Sequence, residues 1–398
     1  MKTILITLFL SLIIFVDNAS CQSTKTASPS GIASAVVLNY DILKPFNDGR
    51  AAFKRGTLWG FIDIHGKVVI EPVYTFEPYY KYGLIHVGIG IQRKAMIYDK
   101  EGNLVIDSSP YYNLNGFTDS LYTTACNFGD AAKAIKPLRY LLNRKGEIVT
   151  LLENENLSSG STYCTQTPVE GRIWFQDKLD YRKKGFLDTY GQIVIPAQFV
   201  EVKNFSNNCA WVKNKLPSGE LRWGAIDTNG RVAIDFTYQF EQQPFKQYRC
   251  FVWDGAYAYT LIDTAGKILS DIKFKQATPF NNRDVTTVKI EENYEDYSMI
   301  IDYSGKVIKK FEKPLPGSNK LQIYLKGGFN DGLAIATYGL SDKFGAVDRT
   351  GKVVIPFEFD LIKDFNNGRA LAVKTDNTGK TTTGIIDTRG NFVIVKMK

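Results

Sequence analysis

Few side chains in this sequence have the types and spacing that catalysis requires. The only histidines are His65, in a predicted turn, and His86, on an apolar segment. So few histidines do not support a histidine-rich metal site or a Ser-His-Asp arrangement assembled from several loops. No segment has the acid spacing of a calcium-binding loop or the lysine of a phosphate-binding loop. We therefore expect no metal, no cofactor and no enzymatic activity.

Carboxylates are the one plentiful source of acid–base chemistry. A pair of them could hydrolyse a glycoside. One predicted loop concentrates four acids: Glu291, Glu292, Glu295 and Asp296. Clustered acids more often form a solvated loop, so a glycan-acting hydrolase is kept as the alternative to a binding protein.

Four cysteines lie in the body of the chain: Cys126, Cys164, Cys209 and Cys250. Their spacing follows an internal repeat and differs from the short spacing of metal ligands. In an oxidising compartment this predicts the disulfides Cys126–Cys164 and Cys209–Cys250, joining successive repeats. Four buried free thiols are the alternative.

The repeat organises almost the whole sequence. An apolar residue, Asp-x-x-Gly and an apolar strand recur in nine copies, with Asn143 in place of the Asp in the third copy, and the glycines from Gly66 to Gly390 are 36 to 46 residues apart. The Asp side chain can cap a backbone amide in a tight turn, and the Gly can adopt the positive φ that closes it. The repeat-defining residues of the clearest copies are Trp59, Gly60, Asp63 and Gly66; Trp223, Gly224, Asp227 and Gly230; Asp348 and Gly351; Asp387 and Gly390.

Small and bulky residues alternate beside these turns, as in Arg369 to Lys374, which is typical of strands. The sequence therefore predicts an all-β fold of tandem β-meander or hairpin repeats, which must stack to bury their apolar faces. Residues 36–43 resemble the segment that the last copy lacks, as a ring closed by its N-terminus would require. Since nine units are many for such a ring, we favour an open or superhelical solenoid, with a closed propeller-like ring as the alternative.

Trp59-Gly60 and Trp223-Gly224, each followed by an apolar residue and Ile-Asp-x-x-Gly, resemble the bacterial WG-repeat family. Other copies keep only the Gly, or neither residue. The nine copies tile about nine tenths of the chain. The resemblance implies a repeat-built interaction module of envelope or secreted proteins.

The N-terminus predicts export. Residues 1–21 have the basic start and short apolar run of a signal peptide, and that run is too short for a bilayer span of about 20 residues. Ala19-Ser20-Cys21 resembles a lipobox, with Cys21 as the lipidation candidate, although Asn18 stands where that signal prefers Leu. Ordinary cleavage is the alternative. Residues 22–34 form a flexible leader, and residues 35–398 form the repeat array.

The predicted function is an exported binding or scaffold module in the periplasm, on the outer surface or secreted. Its partner would be a protein or glycan of the envelope or exterior, with membrane contact only through an N-terminal lipid anchor. The net charge of +8 is dispersed, which argues against a nucleic-acid surface. Aromatic residues that break the repeat template are the binding candidates: Tyr79, Tyr80, Tyr111, Tyr112, Trp174, Trp211, Trp253 and Tyr257.

Overall fold

The protein is described from a computed structural model. The predicted signal peptide, with Cys21, and the predicted leader lie outside the described residues. In the part of the chain that is described, no helix is long and apolar enough to cross a bilayer. The described residues are 35–89, 94–107, 113–114, 117, 122–126, 139–151, 167–280, 284–314, 321–339 and 341–396.

All regular structure in these residues is β-strand, as the sequence predicted, and the strands form nine sheets that we number in chain order. Sheets 1 to 3 contain β2 (Ile42–Leu43), β3 (Arg50–Arg55), β4 (Leu58–Asp63) and β5 (Val68–Tyr74); β6 (Tyr79–Lys81), β7 (Leu84–Ile89), β8 (Lys94–Tyr98) and β9 (Leu104–Ile106); β10 (Asn113–Leu114), β11 (Tyr122–Cys126), β12 (Arg139–Asn143) and β13 (Ile148–Leu151). Sheets 4 to 6 contain β14 (Ile173–Gln176), β15 (Lys184–Leu187) and β16 (Ile193–Phe199); β17 (Glu201–Val202), β18 (Cys209–Lys215), β19 (Leu221–Asp227) and β20 (Val232–Tyr238); β21 (Arg249–Trp253) and β22 (Tyr259–Asp263).

The remaining strands complete sheets 7 to 9. They are β23 (Gln276–Ala277), β24 (Val285–Glu292), β25 (Glu295–Asp302) and β26 (Val307–Lys310); β27 (Ile323–Leu325), β28 (Leu333–Tyr338), β29 (Phe344–Asp348) and β30 (Val353–Phe359); β31 (Leu361–Ile362), β32 (Arg369–Thr375), β33 (Thr381–Asp387) and β34 (Phe392–Lys396), joined by β1 (Val36–Leu38). Within each sheet the strands are antiparallel neighbours in chain order, and each sheet is therefore one repeat. The exception is β1, which pairs in parallel with β34.

The Asp-x-x-Gly turns have the geometry that their sequence predicted. In sheet 1 the Oδ1 of Asp63 accepts hydrogen bonds from the backbone amides of His65 and Lys67, at 2.9 and 3.0 Å. Gly66 closes this turn with a φ of 81°. All nine copies repeat these bonds, and Asn143 makes them in sheet 3.

The glycine of the Trp-Gly pair is required by close packing inside a sheet. A Cβ on Gly60 would lie 2.5 Å from the carbonyl oxygen of Ile70, and one on Gly224 would lie 2.7 Å from that of Ile234. The fourth strand crosses this close because its pairing with the third strand shifts register there, as between Trp59 and Phe61. A side chain at Gly60 or Gly224 would therefore collide with backbone.

Each hydrophobic core is shared by two consecutive sheets. Trp211 of sheet 5, for example, packs against Phe245 of sheet 6, with ring centroids 5.3 Å apart. Equivalent cores join all eight consecutive pairs of sheets. The central strands are buried on both faces, so a single repeat cannot be stable alone.

A ninth core joins the last sheet to the first and closes the array. Ile385 and Ile394 of sheet 9 are buried with Phe53 and Ile62 of sheet 1. At the same joint the amide of Gly49 donates to the Oδ1 of Asn367 at 2.7 Å. The tandem β-repeat fold is thus confirmed. The open solenoid that the sequence favoured is replaced by its alternative, the closed ring, because the two ends of the array bury their apolar faces against each other.

Hydrogen bonds link several of the described turns that precede the second strand in neighbouring sheets. Asp48 and Gly49 both have positive φ, which defines a type I′ turn, and Asn367 occupies the position of Asp48 in sheet 9. At five joints a side chain of one turn accepts a bond from a backbone amide in the turn of the next sheet; Asp48 accepts from the amide of Tyr82 at 2.6 Å, for example, and Asn207 accepts from that of Tyr248 at 3.1 Å. These bonds fix the register between neighbouring sheets.

Candidate functional site

Sheet 6 departs from the repeat template, since its described residues form only two strands, β21 and β22. Isolated bridges, such as Tyr259 with Phe274, stand where a fourth strand would pair. The first strand is replaced by one side chain: the Oε1 of Gln242 accepts from the amide of Trp253 at 2.6 Å, and its Nε2 donates to the carbonyl of Trp253 at 3.3 Å. The carboxamide of Gln242 thus forms the hydrogen bonds to the backbone of Trp253 that a neighbouring strand would normally form.

The shortened sheet leaves a cleft against sheets 7 and 8. The cleft has a volume of about 520 Å³, within the range of small-ligand sites. We call it the 6–8 cleft. Its walls are the ends of β21 and β22, the strands β23 and β24, and the end of β27 with the residues that follow. It is lined by Trp253, Tyr259, Lys275, Gln276, Ala277, Thr278, Thr287, Val288, Lys289, Leu325, Lys326 and Gly327.

Two aromatic rings form one wall of the 6–8 cleft. Trp253 and Tyr259 are cross-strand partners at the end of the β21–β22 hairpin. Their ring centroids are 4.9 Å apart and their planes are inclined by 52°. Both side chains are half-buried, so each leaves part of its ring accessible for stacking.

Three lysines line the same cleft, and they differ in their partners. Lys275 is held by two acids of β24 and β25, with its Nζ 2.6 Å from Glu291 and 2.8 Å from Asp296. These hydrogen bonds, from Asp296 first and then Glu291, raise the pKa of Lys275. Lys289 and Lys326 have no ion pair with any residue in the described ranges. The cleft therefore presents two cations that are free to pair with an anion.

The floor of the cleft is held by two hydrogen bonds of Thr287, one to the sheet 8 repeat and one within the sheet 7 repeat. The hydroxyl of Thr287, on β24, lies 2.9 Å from the carbonyl oxygen of Gly327, to which it donates, and 3.2 Å from the hydroxyl of Thr278. Thr287 is buried. Most of the lining residues lie on strands, and Lys275, Thr278, Lys326 and Gly327 directly flank them, which suits recognition of a ligand with defined shape.

The loop acids proposed for hydrolysis are engaged by lysines. Besides Glu291 and Asp296, Glu292 pairs with Lys310 at 2.5 Å, and Glu295 pairs with Lys313 and accepts from Tyr297. The hydrogen bond from Lys313 is the largest influence that lowers the pKa of Glu295. A general acid in glycoside hydrolysis needs a raised pKa. The four acids lie on the paired strands β24 and β25 and not in the predicted loop, and they form solvated ion pairs there.

The motif aspartates are also committed to structure. Burial alone would raise the pKa of Asp302, but hydrogen bonds from Ser304 and Lys306 hold it below its usual value. The pKa of Asp348 is lowered in the same way, against the effect of burial. Within the described ranges, no group of three or more His, Cys, Asp or Glu side chains could hold a metal ion.

The aromatic binding candidates divide by burial. Trp253 lines the 6–8 cleft, and Tyr257, on the same hairpin, is 87% exposed. Trp211 and Tyr80 are buried, at 2% and 6% exposure. The prediction that Trp211 and Tyr80 contact a ligand at the surface was therefore wrong. Neighbouring sheets cover both faces of their strands.

The remaining candidates are spread over other sheets. Trp174 is half-buried and packs against the core between sheets 4 and 5. Tyr79 is half-exposed and stacks on His86, with ring centroids 4.5 Å apart. Tyr111 and Tyr112 lie outside the described residues. The eight candidates therefore do not converge on one surface.

His86 is buried, with 2% of its surface exposed. Neither of its ring nitrogens has a hydrogen-bond partner among the described residues, and Phe117 packs edge-on against the ring. Burial, reinforced by the charge of Lys81, lowers the pKa of His86 to about 4. The neutral ring is a packing group beneath Tyr79.

The tryptophans of the repeat motif have a structural role. Trp59 and Trp223 are buried. The Nζ atoms of Lys203 and Lys213 lie 5.6 Å from the ring of Trp223, and two lysines flank Trp59 similarly. Each motif tryptophan is thus enclosed by cation–π contacts with its own sheet.

Cys209 and Cys250 are free, buried thiols, so the disulfide predicted between them was wrong. Both lie in the core between sheets 5 and 6, but they occupy template positions one residue apart. Their sulfurs consequently point to different carbonyls: Cys209 to Thr264 at 3.8 Å and Cys250 to Gln243 at 3.0 Å. The pair Cys126–Cys164 lies outside what the structure describes, since Cys164 and the side chain of Cys126 are not covered.

Sequence reasoning missed Tyr259, Lys289 and Lys326 as cleft residues. One signal was available: Tyr259 stands where the template has the motif tryptophan, and Trp253 pairs with it where Lys213 pairs with Trp223. In sheet 6 the aromatic residue of the motif is therefore paired with another aromatic residue and not with a lysine. This change indicates that the sheet departs from the repeat. The lysines carried no such signal, because lysines are dispersed along the chain.

Comparisons with solved structures find distant similarities. The tricorn protease is 14% identical with a TM-score of 0.24, over 89% of this chain but only 44% of that protein's length. AztD from Citrobacter koseri is 11% identical with a TM-score of 0.32, over 78% of this chain and 84% of AztD. Hsv2 from Kluyveromyces lactis is 10% identical with a TM-score of 0.31, over 88% and 98% of the two chains. Because these TM-scores are low, the nine-sheet ring is inferred only from the packing within this chain.

No curated protein matches this sequence. The WG containing repeat family does, at five segments distributed over sheets 1, 2 and 4 to 9. These segments include both Trp-Gly pairs, Trp59-Gly60 and Trp223-Gly224. The last segment ends within sheet 9. The matched residues are 59–85, 185–215, 223–240, 259–294 and 344–377. The chain is a member of the WG-repeat family.

Proposed function

We propose that this protein is an exported binding or scaffold module of the bacterial cell envelope, and that its ligand binds in the 6–8 cleft. The observation that carries the proposal is the cleft itself, where the shortened sheet 6 leaves Trp253 and Tyr259 accessible beside lysines. Recognition sites typically combine aromatic surface with a few polar groups on a rigid frame. The signal-peptide features of residues 1–21 support export.

The ring supplies the rigidity that such a module needs. Nine shared cores and the turn-to-turn hydrogen bonds hold every sheet between two neighbours. A ligand in the 6–8 cleft would therefore meet a preformed surface, which lowers the entropic cost of binding. A scaffold role is compatible with the same frame.

The alternative function, a glycan-acting hydrolase, has weaker support. Its acids Glu291, Glu292, Glu295 and Asp296 are paired with lysines, and the hydrogen bond from Lys313 lowers the pKa of Glu295. Acid–base catalysis would require one of them to be released and protonated near neutral pH.

A single experiment separates the two functions. Residues 22–398 are purified and screened against glycans and envelope fractions, with binding and product release measured together. We expect binding without product, and we expect Trp253→Ala to weaken it while Tyr181→Ala, which removes an exposed ring in sheet 4, does not. Product release that Glu291→Gln abolishes would overturn the proposal in favour of the hydrolase. The absence of any binding would also contradict it.

A further inference from the structure

We infer that the 6–8 cleft selects a carboxylated sugar, such as a uronic acid within an envelope glycan. This inference rests on the proposed binding function and specifies the chemistry of its ligand. It combines two properties of the cleft: two lysines, Lys289 and Lys326, with no ion pair among the described residues, and an accessible aromatic wall.

The charge of the cleft favours an anion. Its lining contains Lys275, Lys289 and Lys326 and no acidic residue. Glu291 and Asp296, which neutralise Lys275, approach it from the paired ends of β24 and β25. Lys289 and Lys326 belong to different sheets, 7 and 8, and a ligand carboxylate could be held between them. Lysine binds such groups as a compact point charge with rotatable donors.

The aromatic wall argues for a ring in addition to the charge. Trp253 and Tyr259 belong to sheet 6, on the opposite side of the cleft from Lys326. Aromatic side chains offer a flat apolar surface to the C–H face of a sugar, while their polar atoms stay available for hydrogen bonds. A purely charged ligand would make no use of this wall. A carboxylated sugar uses both sides.

The cleft also offers neutral hydrogen-bonding groups that suit sugar hydroxyls. Gln276 is exposed on β23, and Thr278 follows it at the edge of the cleft. An amide and a hydroxyl can each donate and accept, as hydroxyl recognition requires. Charge, stacking surface and neutral polar groups thus occur together within about 520 Å³.

The test uses residues 22–398 and oligogalacturonate as the probe, with its methyl ester as a neutral analogue and poly-glutamate as a carboxylated chain without sugar rings. Affinities are measured by calorimetry at low and high NaCl. We expect oligogalacturonate to bind, to weaken with salt and to lose about ten-fold in affinity with Lys289→Gln or Lys326→Gln. Lys267→Gln removes an exposed charge outside the cleft and serves as the matched control, with unchanged affinity expected. Trp253→Leu should weaken binding by a similar factor.

The outcomes separate this inference from the proposed function. If poly-glutamate bound as tightly as oligogalacturonate, the cleft would recognise charge alone. If the methyl ester bound as tightly, the cleft would not recognise the carboxylate. Either result overturns the inference. If oligogalacturonate does not bind but a neutral glycan or an envelope protein does, in a manner that depends on Trp253, the inference fails and the binding function stands. Melting curves of each variant distinguish lost affinity from lost fold.

Discussion

Sheets 5 and 6 are built from the same repeat and have different surfaces. Sheet 5 has four strands, and Trp223 is buried between Lys203 and Lys213. Sheet 6 has two strands in the described residues, with Tyr259 at the tryptophan position and Trp253 as its cross-strand partner. The difference teaches that the repeat encloses its own aromatic residue when it is complete, and exposes aromatic surface when its first and fourth strands are lost.

The largest expected effect comes from the two aromatic residues at this shared position. Trp223→Ala removes a fully packed ring and should lower the free energy of unfolding by about 4 kcal/mol. Tyr259→Ala removes a half-buried ring beside a cleft and should cost about 1 kcal/mol while weakening ligand binding. Urea unfolding followed by fluorescence measures both changes. Equal losses of stability would remove the distinction between the two sheets.

The motif glycine gives the second comparison. Gly224→Ala places a Cβ 2.7 Å from the carbonyl oxygen of Ile234, and moving that strand should cost about 2–3 kcal/mol. Thr260 occupies the equivalent position of sheet 6, where the following segment pairs only through isolated bridges and a side chain fits, so Thr260→Ala should cost less than about 1 kcal/mol. Urea midpoints of the two variants test this. A tolerated alanine at Gly224 would contradict the close crossing.

The side chain that replaces a strand gives the third comparison. Gln242→Ala leaves the backbone amide of Trp253 without its partner, with an expected loss of about 1–2 kcal/mol. Glu201→Ala in sheet 5 leaves the β17–β18 backbone pairing intact and should cost about 0.5 kcal/mol or less. Thermal unfolding of both variants measures the difference. Gln242→Glu, which keeps the acceptor but loses the donor, should fall between wild type and alanine.

The smallest expected effect on stability concerns the two thiols between these sheets. Burial raises the pKa of Cys209 to about 11, and burial also raises that of Cys250. Neither thiolate forms appreciably at pH 8, so both should resist iodoacetamide in the folded protein. Under denaturing, non-reducing conditions the wild type should show two more reactive thiols than the Cys209→Ala/Cys250→Ala variant. Equal numbers of reactive thiols in the two proteins would instead indicate a disulfide between Cys209 and Cys250.

Much of the repeat could be predicted from the sequence because its signals are local. The Asp63 turn is held by hydrogen bonds to residues two and four positions later, and the same bonds recur in all nine copies. Alternation of side chains on a strand likewise follows from the chain itself. The all-β class, the repeat and the family follow from these patterns.

The candidate site could be predicted only in part. Trp253 and Tyr257 broke the template and were identified, but Trp211 broke it equally and is core. The repeat pattern does not state whether a neighbouring sheet covers an aromatic residue. The thiols show the same limit: a one-residue offset between Cys209 and Cys250 directs their sulfurs to carbonyls of different segments.

By itself, the sequence determined the unit: a meander closed by an Asp-x-x-Gly turn, repeated nine times, with a glycine wherever the backbone crosses too closely for a side chain. Only the tertiary structure decided that the array closes, with Ile394 packed on Phe53, and that a cleft opens beside sheet 6. The physical reason is one of range. Turns and strands are set by bonds within a few residues, whereas closure depends on small rotations between sheets that accumulate over the whole chain.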